Sequence, residues 1–104
     1  MDDRPAEIVI AHDAAALAAL AADRIARALA EAAGEAAAAD GEAGAEARPV
    51  TVALAGGRTP RAVYALLARD RRVPWGRLEI FLGDERCVPP DSEDSNVRML
   101  REAL

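Results

Sequence analysis

Short apolar runs separated by helix-patterned stretches run the length of this chain. Val50, Thr51, Val52, Ala53, Leu54 and Ala55 are apolar on both alternating faces and rich in β-branched residues, which predicts a buried parallel strand. Leu78–Leu82 predicts a second strand, and Glu7–Ala11 a shorter one at the start. After that first run, Asp13 can cap a helix from about Ala14 to Ala33. Leu17, Ala21, Ile25 and Leu29 lie on one side of it, and Asp23, Arg27 and Glu31 on the other at i, i+4 spacing. Residues 34–48 are alanine, glutamate and glycine with little else, and read as a solvated low-complexity loop, with a helical start as an open alternative and no assigned function.

The run Val50–Ala55 leads into Gly56, Gly57, Arg58, Thr59 and Pro60. Thr59 is a suitable N-cap and Pro60 a suitable first helical residue, and Val63, Leu66 and Leu67 give the following helix one apolar face. A strand, a helix and a second strand predict a right-handed βαβ unit, so both strands end on the edge where open α/β sheets bind ligands. Glycines without Cβ let an anion approach the amides, and the helix dipole favours it there. Arg58 is placed to add charge-assisted hydrogen bonds. An ordinary strand-to-helix turn is the competing reading. The named nucleotide motifs do not fit: GxxxxGK[ST] is absent, the pair of glycines is not GxGxxG, and the chain contains no lysine.

From the next strand come Gly83, Asp84, Glu85, Arg86, Cys87, Val88, Pro89 and Pro90, then Asp94, Ser95, Asn96, Val97 and Arg98. The acids with Arg86 read either as a self-satisfied loop cluster or as part of a site, and the diproline argues for a fixed loop. Ser95 or Asp94 would cap a last helix, Asn96–Leu104.

ALAGGRTPRAVYALLA followed by VPWGRLEIFLGDERCVPPDSEDSNVRMLREAL resembles the amino-terminal half of the 6-phosphogluconolactonases, sugar-phosphate hydrolases of the pentose phosphate pathway in the glucosamine/galactosamine-6-phosphate isomerase superfamily. The resemblance runs from about Val50 to Leu104, more weakly before it, and rests most on DERCVPP with the downstream SNVR. It implies a three-layer, Rossmann-related α/β fold, mostly a parallel sheet with helices on both faces, as one partial domain over residues 1–104. It implies that Gly56, Gly57, Arg58 and Thr59 cradle the substrate's 6-phosphate with Arg86 nearby, and that Asp84, Glu85 and Asn96 shape the sugar pocket. The family commonly carries serine in place of Arg58; either the arginine strengthens phosphate binding or its backbone amide alone binds. The Arg of DER separates this chain from amino-sugar-phosphate isomerases and deaminases, which typically show DEY.

The resemblance also implies a catalytic histidine in an Asp-Gly-His segment that lies beyond Leu104. Lactone hydrolysis needs a base for water and stabilisation of the growing oxyanion. His12, the lone histidine, has no orienting carboxylate by motif and reads as structural or solvent-facing. The chain is therefore expected to be a fragment that supplies the phosphate side of a lactonase site and is inactive alone. Amino-sugar-phosphate isomerase or deaminase chemistry and a non-catalytic phosphosugar-binding fragment remain as alternatives.

Composition narrows the partners. A formal charge of -5 and the lack of a basic, aromatic-studded stripe argue against nucleic acid. No apolar run approaches membrane-spanning length, no signal peptide is expected at the start, and one cysteine excludes an internal disulfide; together these predict a cytoplasmic protein. No cofactor or metal is expected, because no His/Cys/Asp cluster has ligand spacing. With 104 residues and few strands, apolar edges would stay uncovered, so self-association or a completing chain is expected.

Overall fold

The computed structural model describes residues 5–40 and 48–104. It contains helix α1 (Ala14–Asp40), strand β1 (Val50–Leu54), helix α2 (Arg58–Leu67), a 3-10 turn (Trp75–Arg77), strand β2 (Leu78–Leu82) and helix α3 (Asn96–Ala103). The strands pair in parallel, with Val50 opposite Leu78 and Leu54 opposite Leu82. Gly83 prolongs the ladder by donating to the Leu54 carbonyl over 2.8 Å.

Strand alternation then separates two faces. Val50, Val52, Leu54, Leu78 and Leu82 pack into the core with Ala18, Ala22, Ala26 and Leu29 of α1, Val63, Tyr64 and Leu67 of α2, Val73, and Leu100 of α3. Thr51, Ala53, Glu79 and Phe81 are exposed on the opposite face. Among the described residues, helices therefore cover one side of an incomplete α/β sheet. Each large aliphatic side chain buried on that side contributes roughly 1.5–3 kcal/mol.

The buried stripe of α1 consists of Ala18, Ala22, Ala26 and Leu29; of the expected side, Leu29 belongs to it, Ala21 and Ile25 pack partly buried against it, and Leu17 is exposed. Alanine has no side chain beyond Cβ to hold a neighbour away, so α2 packs directly on this stripe. Asp13 caps the helix as expected, its Oδ1 accepting from the Ala16 amide over 2.8 Å. The helix continues past the expected end at Ala33 through residues 34–40, the helical start that the low-complexity stretch allows, because the run of alanine and glutamate has high helical propensity. Gly34 alone opposes it, at about 1 kcal/mol. The rest of that expected loop, residues 41–47, lies outside the described residues. Arg77 bridges the two flanks by donating to the carbonyls of Ala33 (3.0 Å) and Arg48 (2.9 Å).

Two further expectations are corrected. Residues 7–11 are not a strand, because a strand needs a ladder partner and none is paired with them among the described residues. Ile8 and Ile10 are 83% and 89% exposed, and Glu7 is joined to α1 through Arg24 at 2.7 Å. Thr59 is not the N-cap of α2: the cap is Gly57, and Thr59 and Pro60 occupy the second and third helical positions. Gly57 has φ of 118°, a conformation glycine takes at little cost, and it turns the chain into the helix two residues earlier than expected. Pro60 remains harmless there, since the first amides of a helix have no internal acceptor.

Candidate functional site

At the carboxyl ends of both strands three segments converge, and each contact that joins them can be traced to a particular side chain. Tyr64, buried in α2, donates its hydroxyl proton to the Ala55 carbonyl (2.7 Å) and accepts from the Ala55 amide (3.1 Å). This anchors the backbone immediately before the glycines. Burial raises the phenol's pKa, partly offset by the hydrogen bond to Ala55, so it remains a donor. Gly56 abuts the Asn96 carboxamide so closely that a Cβ there would coincide with it. Asn96 in turn donates from Nδ2 to the Asp84 carbonyl over 3.1 Å, tying the glycine loop to the DER loop through one buried side chain.

Glu85 organises the start of α3. Its Oε1 accepts from the backbone amides of Asn96 (2.7 Å) and Arg86 (2.8 Å), and its Oε2 from the Val97 amide and the Ser95 hydroxyl, each at 3.0 Å. Ser95 Oγ also accepts from the Arg98 amide over 3.3 Å, as an N-cap should. The amides of Asn96 and Val97, followed by those partners, lower the Glu85 carboxyl from 4.5 to about 2. The carboxylate thus satisfies the amino terminus of α3. The amino terminus of α2, by contrast, has no side-chain cap. Two helix starts face the same edge of the sheet, and only one carries its own anion.

Between them lies a cavity of about 550 Å³, lined by Gly57, Arg58 and Arg61 from the start of α2, Arg86, Glu93 and Asp94 from the loop, and Ser95, Asn96, Arg98, Met99 and Glu102 from the edge of α3. Four guanidinium groups meet three carboxylates there, although the chain as a whole is acidic. Arg98 bonds Glu102 through Nε (2.9 Å) and the Asp91 carbonyl through Nη1 (2.8 Å); Arg61 reaches Glu102 at 3.4 Å, and Arg86 lies 3.7 Å from Asp94. Arg58 has no ion pair among the described residues. An arrangement with several arginines beside an uncapped helix start can hold a phosphate through charge-assisted hydrogen bonds and backbone amides.

Of the expected site residues, Gly57, Arg58, Arg86 and Asn96 line this cavity, while Gly56 and Glu85 support it from behind. Thr59 and Asp84 do not line it, although Thr59 is in the first turn of α2 and Asp84 is exposed at the end of β2. Arg61, Arg98 and Glu102 line it without having been expected. The i, i+3 spacing of Arg58 and Arg61 was the available signal for the first, and the Arg98–Glu102 i, i+4 pair for the others. His12 is exposed ahead of α1 and does not line the cavity. Among the described residues no group of His, Cys, Asp and Glu is placed to hold a metal ion, and no helix is long and apolar enough to cross a membrane.

Comparison with known proteins gives the family. Residues 12–104 match the family described as glucosamine-6-phosphate isomerases/6-phosphogluconolactonase. The 6-phosphogluconolactonase of Thermotoga maritima is 53% identical over 55 residues, 53% of this chain and 24% of the relative. That of Synechocystis is 51% identical over 53 residues, 51% of this chain and 22% of the relative. The solved 6-phosphogluconolactonase of Trypanosoma brucei superposes with a TM-score of 0.71 at 33% identity, covering 92% of this chain and 34% of that one. The Thermotoga maritima structure gives 0.64 at 39% identity, covering 84% and 34%. The matched stretch thus spans about a quarter of the curated relatives and about a third of the solved structures. Through the family match that takes in both strands, the glycine loop and the DER loop, the chain belongs to the glucosamine-6-phosphate isomerase/6-phosphogluconolactonase family.

Proposed function

We propose that this chain supplies the phosphate-binding side of a site that hydrolyses 6-phospho-D-glucono-1,5-lactone to 6-phospho-D-gluconate in the pentose phosphate pathway. The observation that carries the reading is the contrast between the two helix starts: Glu85 fills that of α3, whereas the uncapped start of α2 carries Arg58 and Arg61 and shares its cavity with Arg86 and Arg98. The ester phosphate of the substrate is the anion that suits the second.

In this reading the amides at Gly57, Arg58 and Thr59 hold phosphate oxygens, and Arg86 adds a guanidinium from the facing loop. Asn96 and Asp84 bound the sugar, and Glu85 acts indirectly by holding the loop. The lactone carbonyl needs a base to activate water, and no residue here is assigned that role, because the given sequence has no Asp-Gly-His and His12 does not line the cavity. Lactone turnover by the purified chain is expected to stay at the spontaneous rate. A lone, exposed Cys87 suits a reducing cytoplasm as the place of action.

Calorimetric titration of the full chain with 6-phosphogluconate and with gluconate tests this. The phosphorylated ligand should bind at least about tenfold more tightly, and Arg86→Ala should weaken it by more than Arg69→Ala, a control at an exposed position in the turn after α2. Equal affinity for the two ligands would overturn the phosphate site; equal small effects of the two variants would remove Arg86 from it.

A further inference from the structure

Arg61 and Arg98 share Glu102, but they are held very differently. Arg98 is doubly fixed, its Nε on Glu102 Oε1 at 2.9 Å and its Nη1 on the Asp91 carbonyl at 2.8 Å. Among the described residues Arg61 has one long contact, Nη2 to Glu102 Oε2 at 3.4 Å, with more than half of its side chain exposed. It rises from the first turn of α2, one turn after Arg58, and both guanidinium groups line the same cavity. From these contacts we infer that Arg61 is a second, recruitable phosphate contact, and that the Glu102 carboxylate is the anion it exchanges for the substrate's.

The inference rests on the phosphate reading above and deepens it. Exposed ion pairs at this distance exchange readily for another anion, because water already screens them and each side chain retains its freedom. A phosphate dianion has more charge and more acceptor oxygens than a carboxylate, so it outcompetes Glu102 for a guanidinium that has no other anchor. Arg98 stays behind on Glu102 and Asp91, so the carboxylate is not left unpaired when Arg61 departs. Glu102 is thus a positioning residue: it keeps Arg61 at the rim of the cavity and competes with the ligand for it.

Titrations of the full chain with 6-phosphogluconate and gluconate, for wild type, Arg61→Ala, Arg61→Lys and Glu102→Gln, decide the point. Arg61→Ala should weaken 6-phosphogluconate five- to tenfold and leave gluconate unchanged, and Arg61→Lys should recover part of the loss. Glu102→Gln should tighten 6-phosphogluconate two- to threefold by removing the competitor. Arg61→Ala within twofold of wild type, or an equal loss for both ligands, would overturn the contact. A Glu102→Gln variant that binds no more tightly would overturn the exchange. Failure of the wild type to prefer 6-phosphogluconate would instead sink the phosphate reading beneath it.

Discussion

At the scale of single residues, the paired glycines have separate jobs that adjacent letters in a sequence do not distinguish. Gly57 is needed for its backbone, at a φ of 118° that turns the chain into α2. Gly56 is needed for the space it leaves to Asn96, a residue forty positions away. Gly56→Ala should therefore move Asn96, break its hydrogen bond to Asp84 and cost about 1–3 kcal/mol of stability, as overpacking does. Gly34→Ala is the comparison: a Cβ there meets nothing, and the helical position should gain up to about 1 kcal/mol. Urea unfolding of both variants checks the pair. A Gly56→Ala midpoint equal to wild type would mean that Asn96 is not held against the glycine loop.

At the scale of elements, Glu85 makes the start of α3 depend on pH. Its folded-state pKa of about 2 lies below the ordinary 4.5, so the ionised form is the one that folding favours. Its contribution is full above about 4.5 and fades as pH falls toward 2. In urea unfolding at a series of pH values, wild type should exceed Glu85→Gln in stability at neutral pH, and the gap should close progressively between about 4.5 and 2. A gap that stays constant over that range would show that the carboxylate is not what holds the loop. This device was only half visible beforehand. The DER loop and the SNVR helix start were each legible from local chemistry, as were β2 and the Asp13 and Ser95 caps, because strand alternation and capping are short-range patterns. That Glu85 reaches across ten residues to Ser95 and past it is a tertiary fact. The same distinction explains the misplaced N-cap at Thr59, where a backbone angle outweighed a side-chain preference. It explains too the strand expected at residues 7–11, where a short apolar run has no ladder partner among the described residues. Arg61 and Glu102 enter the cavity only because α2 and α3 pack together.

At the scale of the whole molecule, the two-stranded sheet leaves apolar surface facing water. Phe81 is 52% exposed on the bare face and Ile80 39% exposed above a shallow groove of about 640 Å³ that also includes Val97, Leu100 and Leu104. Among the described residues, each strand also has one edge without a ladder partner. Apolar surface beside unpaired edges favours association over solvation, since contact removes the former from water and gives the latter hydrogen bonds. The chain should therefore sediment with an apparent mass that rises with concentration, and Phe81→Ser should lower that mass at every concentration. Leu17→Ser, which removes an exposed leucine from α1 on the other side of the core, controls for general loss of surface hydrophobicity. If both substitutions reduce association equally, the sheet face is not the contact. If only Phe81→Ser does so, the charge of -5 is insufficient to keep copies apart once that face is available. The phosphate cavity should then still bind its ligand in the dispersed variant, because it is built from the carboxyl ends of the strands and not from the bare face.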